Sequence, residues 1–254
     1  MSRRSRPAPA ARIAAVPPLY HFGVRLFAGF TMAMLVAFWP SYFSRLADQP
    51  SAHPHMHGLA MTAWLVLLIA QGSLMRSGNR ALHRRLGLLS YLLVPVIVVV
   101  TLRFVHFTVQ ESPDLGDYGL FFLALVVLTL VTFVALFGLA MLYRARPAVH
   151  ARFMVSTLFP LFPPVTDRLI ARFAPSIIDA MPRIGGAPIL QVAGFGIADA
   201  ILAGLVIWDW QKNRRLVFLV ALAIVVAGQA AILNAHRLGA WQAFGPWFVG
   251  LPLT

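Results

Sequence analysis

Long apolar stretches alternate along this chain with short polar breaks, and the breaks are rich in arginine. Stretches near the roughly 20 residues needed to cross a bilayer fall at 22–44, 57–75, 83–107, 118–143, 150–174, 188–208 and 215–236. The pattern predicts an all-α integral membrane protein, a seven-transmembrane-helix bundle occupying residues 20–236. Residues 1–19 make a basic tail before it, and 237–254 an outer interfacial segment carrying Trp241, Phe244, Trp247 and Phe248. Pro and Gly sit inside several spans, which membrane helices tolerate. The fifth span is the exception in kind. Pro160, Pro163 and Pro164 should break or kink it, and Asp167 and Arg168 follow at once.

The arginines give a direction. Arg3, Arg4, Arg6 and Arg12 precede the first span; Arg76, Arg80, Arg84 and Arg85 join spans two and three. Arg144, Arg146 and Arg152 join four and five, and Lys212, Arg214 and Arg215 join six and seven. Only Arg45, Arg172, Arg183 and Arg237 lie on the opposite side, with Arg25, Arg103 and Arg168 inside spans. The excess of basic residues in cytoplasmic loops then places the N-terminus in the cytoplasm and the C-terminus outside. Asp48, Glu111, Asp114, Asp117 and Asp179 fall on the outer side.

Composition agrees with lipid as solvent. Of 254 residues, 59% are hydrophobic and 11% charged, against about 25% charged in soluble domains. The net charge of +13 would suggest nucleic acid in a soluble protein, but here it resides in topology signals, so no nucleic-acid partner is expected. There is no cysteine, which removes disulfides, thiolate metal sites and covalent haem attachment. The segment from Met1 to Arg6 is basic, but no apolar stretch with a cleavage site follows before Tyr20, so it reads as a retained tail.

The chemistry concentrates in histidine. His53, His55 and His57 alternate where span two begins, and His106 ends span three on the same outer side, with Glu111, Asp114 and Asp117 following. Imidazole with carboxylate suits Zn, Cu or Fe. Alternate side chains share a face only in an extended segment, which Pro54 favours at His53; His57 would open the helix. The competing reading is a solvated interfacial cluster without an ion, or a pH sensor. Down span two, His57, Trp64 and Gln71 are spaced by seven and share one helical face, a polar stripe that should point into the bundle and that ordinary interhelical hydrogen bonding would equally explain.

On the inner side, Leu82-His83-Arg84-Arg85 resembles Val149-His150-Ala151-Arg152, 67 residues on, a weak internal repeat in which a basic loop opens the next span. His83 and His150 are thereby candidates to hold one b-type haem, or else interfacial anchors beside lipid phosphates. A haem shared by His83 and His106 is excluded, since 23 residues at about 1.5 Å each put them roughly 34 Å apart. Asp199 should lie near the midplane of span six, paired with Arg168 or Arg103 or held protonated, with Asp167 beside them. A Gly-rich phosphate loop, a Gly-x-Ser-x-Gly elbow and a His-Glu-x-x-His motif are all missing; Gly185 and Gly186 read as a turn.

His55-x-His57-Gly58 with Trp64 and Gln71, then Leu82 to Gly87, then His150-x-Arg152-Phe153-Met154 with Arg168, resembles a group of multi-pass bacterial inner-membrane proteins of unassigned function. The resemblance covers roughly residues 53–170 and, more distantly, extends to cytochrome b561-like proteins. It implies a bacterial inner-membrane location and keeps haem among the cofactors to consider. The leading expectation is a metal- or haem-associated protein acting in redox or metal handling at the outer face. The alternatives are a small-ligand or proton-coupled carrier or sensor using Asp199 and Arg168, and a non-catalytic assembly or scaffold subunit of a membrane complex.

Overall fold

The computed structural model describes residues 18–111 and 115–254. The arginines of the N-terminal tail, and Asp114 of the outer acidic loop, lie outside the described residues. The helices are α1 (Pro18–Phe38), α2 (Ala52–Arg76), α3 (Arg80–Gly87), α4 (Leu89–Gln110), α5 (Asp117–Leu142), α6 (Pro147–Ser156), α7 (Phe162–Phe173), α8 (Gln191–Asn213), α9 (Val217–Ala235) and α10 (Gly239–Val249). A two-stranded hairpin, β1 (Arg183–Ile184) and β2 (Ala187–Pro188), precedes α8. Its turn places Gly185 and Gly186 at φ of 56° and 79°, the left-handed region that glycine enters without steric cost.

Six helical stretches are long and apolar enough to cross a membrane: α1, α2, α3 with α4, α5, α8 and α9. The expected fifth span is not one helix. It divides into α6, a 3-10 turn at Phe159–Leu161, and α7. Proline is the cause: Pro163 and Pro164 fall in the first turn of α7, where a missing N–H costs nothing, and so mark a new helix start.

This broken segment is nevertheless the best-buried stretch among the described residues. Leu158, Phe159, Phe153, Phe162 and Val165 are buried in the main core with Leu136, Leu202 and Phe218. It also runs alongside α8 from end to end. Arg152 of α6 bonds Asp209 near the close of α8, and Asp167 of α7 bonds Gln191 at its opening. Those two α8 positions are 18 residues, about 27 Å, apart along the helix. Close packing makes this possible: a Cβ at Gly194 would meet the Pro163 Cα at 2.7 Å, so only glycine admits α7 there.

The same contacts sort the connections. His83 of α3 faces His150 of α6, and Arg152 faces Asp209. The connections 77–79, 143–146 and 214–216 therefore lie at one end of the bundle, with Arg76, Arg80, Arg84, Arg85, Arg144 and Arg146 exposed there. The segment after residue 236 is a packed helix. α10 rests on α4 and α5, Phe248 is buried, and the Trp241 indole donates to the Leu120 carbonyl at 2.9 Å, while Trp247 stays exposed.

Candidate functional site

The three alternate histidines begin inside a helix rather than an extended segment. Ser51 caps α2, its Oγ accepting from the His53 N–H at 3.3 Å, and Pro54 sits in the first turn. Successive alternate positions in a helix are about 200° apart, so the run disperses. His53 stacks on Phe107 with ring centres 4.9 Å apart, and His57 on Phe104 at 4.8 Å, both toward α4. The His57 Nδ1 is 3.1 Å from the Thr101 hydroxyl. His55 turns the other way, its Nδ1 3.3 Å from the Tyr42 hydroxyl. Burial holds the Tyr42 phenol above its ordinary pKa, so it stays protonated beside His55.

His106 does not join them. It is fully buried on another face of α4, with Nδ1 2.7 Å from the Thr254 hydroxyl and its ring edge-on to Phe248. Among the described residues, no group of three or more His, Asp or Glu side chains is placed to hold one ion. The outer quartet His53, His55, His57 and His106, expected as a metal site, is thus spread over three directions, because the helical period replaces the extended one.

The inner pair does meet. The ring centres of His83 and His150 are 6.5 Å apart, with planes at 84°. The His150 Nδ1 is 2.9 Å from the Ala140 carbonyl of α5. A carbonyl only accepts, so Nδ1 carries the proton and Nε2 presents a lone pair. The His83 Nδ1 is buried with no hydrogen-bond partner among the described residues. Two imidazoles sharing one ion through bonds of about 2.0–2.1 Å have ring centres roughly 5–6 Å apart, within about 1 Å of the spacing here. The spacing and the free His150 Nε2 therefore suit one small transition-metal ion.

The polar stripe of α2 runs from this site into the bundle. Gln71 and Trp64 are buried, and neither the Gln71 amide atoms nor the Trp64 indole N–H find a protein partner among the described residues. Trp64 is held edge-on by Phe133 and Phe137. The Gln71 backbone lies beside His83.

The intramembrane ions pair differently from expectation. Asp199 accepts from the Gln229 amide at 3.0 Å, across to α9, and meets neither Arg168 nor Arg103. Asp167 accepts from Gln191 at 3.0 Å and from Arg168 at 3.1 Å, and Arg168 also lies 4.2 Å over the Phe38 ring. Arg103 is exposed on α4. Helix geometry explains the change: on α8, Asp199 turns toward α9 while Gln191 turns toward α7.

One buried ion pair was missed in sequence. Arg152 binds Asp209 as a fork, through Nε at 2.7 Å and through Nη2, while Nη1 donates to the Ala148 carbonyl at 2.6 Å. Asn213 donates to the same carboxylate at 2.9 Å. In the sequence Arg152 reads as a loop cation and Asp209 as the acid that closes a span. The available signal was that Asp209 is the lone acid at the arginine-rich end, set between Trp208 and Trp210.

Comparison with protein-family models, with curated proteins and with solved structures finds no match.

Proposed function

We propose that this chain is a bacterial inner-membrane protein that crosses the bilayer seven times and holds one transition-metal ion between His83 and His150, as a bound ion or as the iron of a b-type haem. The observation that carries the reading is the facing ring pair, with His150 turned by the Ala140 carbonyl so that its Nε2 lone pair is free. The role that follows is redox or metal handling at the arginine-rich end. That end faces the cytoplasm by the basic-loop rule. The outer histidines offer no comparable pairing. A carrier built on Asp199 and Arg168 lacks a common site, since Asp199 is bonded to Gln229 of α9 while Arg168 is bonded to Asp167 on its own helix.

The seventh pass is the proline-broken segment, supported by its contacts with both ends of α8. The chain has no native cysteine, so single cysteines label cleanly. Ser77→Cys, Ala145→Cys and Arg214→Cys should react from one side of the membrane and Asp48→Cys from the other. Labelling of Arg214→Cys from the Asp48 side sinks the seven-pass reading, because residue 214 changes sides if the α6–α7 segment does not cross. For the site, metal analysis and a visible spectrum of the detergent-purified protein decide. Stoichiometric metal or a Soret band, lost in His83→Ala and His150→Ala, supports it. Finding neither leaves a non-catalytic membrane subunit.

A further inference from the structure

We infer that Gln71 is the third protein group of the His83–His150 site, hydrogen-bonded to a water molecule carried by a divalent transition-metal ion. The inference rests on the reading just given and sharpens it, because it selects a bound ion over haem iron.

His83 of α3 faces His150 of α6, and the Gln71 amide of α2 reaches Gly87, one helical turn beyond His83 on α3. Gln71 is 9% exposed, and both its amide nitrogen and its amide oxygen are buried without a protein partner among the described residues. A buried primary amide with neither end bonded is rare in native structures, where such groups almost always find protein or ordered water. The amide is directed toward the α3–α4 junction, where a Cβ at Gly87 would come 3.9 Å from the Gln71 Nε2. The Gln71 backbone lies against the His83 ring.

Two imidazoles satisfy only half of a four-coordinate ion, and open positions on such ions are taken by water or substrate. An ion-bound water donates two hydrogen bonds. The Gln71 Oε1 accepts one of them, and Nε2 remains to donate to a second oxygen ligand. Haem iron gripped by two histidines has both axial positions filled and carries no water for the amide to hold. The buried amide thus has work beside an ion with an open position and none beside a six-coordinate haem. Gln71 is a positioning residue: it touches the ion's water, not the ion.

Cobalt(II) is the probe, because its visible bands report coordination. Full-length protein in nanodiscs, stripped of metal and titrated with cobalt chloride, should take up one ion per chain. His150→Ala should take up none. Gln71→Leu should keep the ion with roughly 10-fold weaker affinity, altered visible bands and a shifted pH midpoint of the bound water, and Gln71→Glu should recover the wild-type affinity. Gln71→Met provides the same reading should the leucine variant fail to fold. Wild-type-like bands, affinity and pH midpoint in Gln71→Leu or Gln71→Met overturn the inference alone. A Soret band in the wild type without cobalt uptake overturns it too and leaves the bis-histidine reading standing. A wild type that binds neither cobalt nor haem overturns both.

Discussion

The outer histidines are neighbours in sequence and strangers in space; the inner ones are 67 residues apart and face each other. The two ends differ in what holds each ring. His53 and His57 leave α2 toward α4 while His55 turns away from them, and stacking on Phe107 and Phe104 and contact with Tyr42 each settle a ring against its own aromatic partner. His83 and His150 come from two short helices at one end of the bundle, and a carbonyl from a third element sets the His150 tautomer. Spacing along a chain predicts convergence only when the backbone period is known. Convergence between elements depends on packing, which spacing does not encode.

The difference can be broken most forcefully at Arg152, two residues from His150. Asp209→Ala leaves a buried guanidinium without its carboxylate, a loss of about 3–5 kcal/mol. The expected outcome is a large fall in detergent-solubilised yield and thermal midpoint, whereas Asp48→Ala, on the exposed outer loop, should change neither. An Asp209→Ala protein as stable as wild type would show that the inner end does not depend on this clamp. Next in size is the close approach at Gly194. Gly194→Leu should separate α7 from α8 and cost about 1–3 kcal/mol, the order seen for overpacked cores, read as loss of a monodisperse peak in size-exclusion chromatography.

A third test contrasts the two histidine groups directly. His150→Ala should lower bound metal from one equivalent to near zero, while His55→Ala should leave it unchanged within about twofold, by elemental analysis. Equal losses from both would return the site to the outer run. The smallest effect is expected at the outer packing itself. Thr101→Val removes the hydroxyl beside the His57 Nδ1, for a cost of about 0.5–1.5 kcal/mol and no change in metal content.

The class of fold was legible because hydrocarbon thickness sets helix length: α1, α2, α5, α8 and α9 lie close to the apolar runs read from sequence. The division of the third run into α3 and α4 was less visible, since Leu88 at the junction keeps both the apolar pattern and helical φ and ψ. The proline triplet announced a break in the fifth run but not its burial, which depends on Gly194 and on both ends of α8. Trp64 and Gln71 shared a readable face because helical period alone decides it. The partner of Asp199 was unreadable, since Gln229 lies 30 residues away on a helix with no charge to flag it. Arg152 and Asp209 each carried a plain meaning, topology signal and span-end acid, that concealed the pair they form.

The broken segment also bears on how the protein is made. Translocation machinery releases a helix into lipid according to its own apolarity, and an arginine at the centre of a helix opposes that release by about 2.5–3.5 kcal/mol. α6 and α7 are each too short to enter alone, and between them they carry Arg152, Asp167 and Arg168. Their counterparts Asp209 and Gln191 are on α8, which is synthesised later. The partners that offset these charges are therefore absent from the chain until α8 has been made. The arginine clamp thus joins two parts of the bundle that are made apart in time, and the proline-broken segment finds its buried place only in the company of α8.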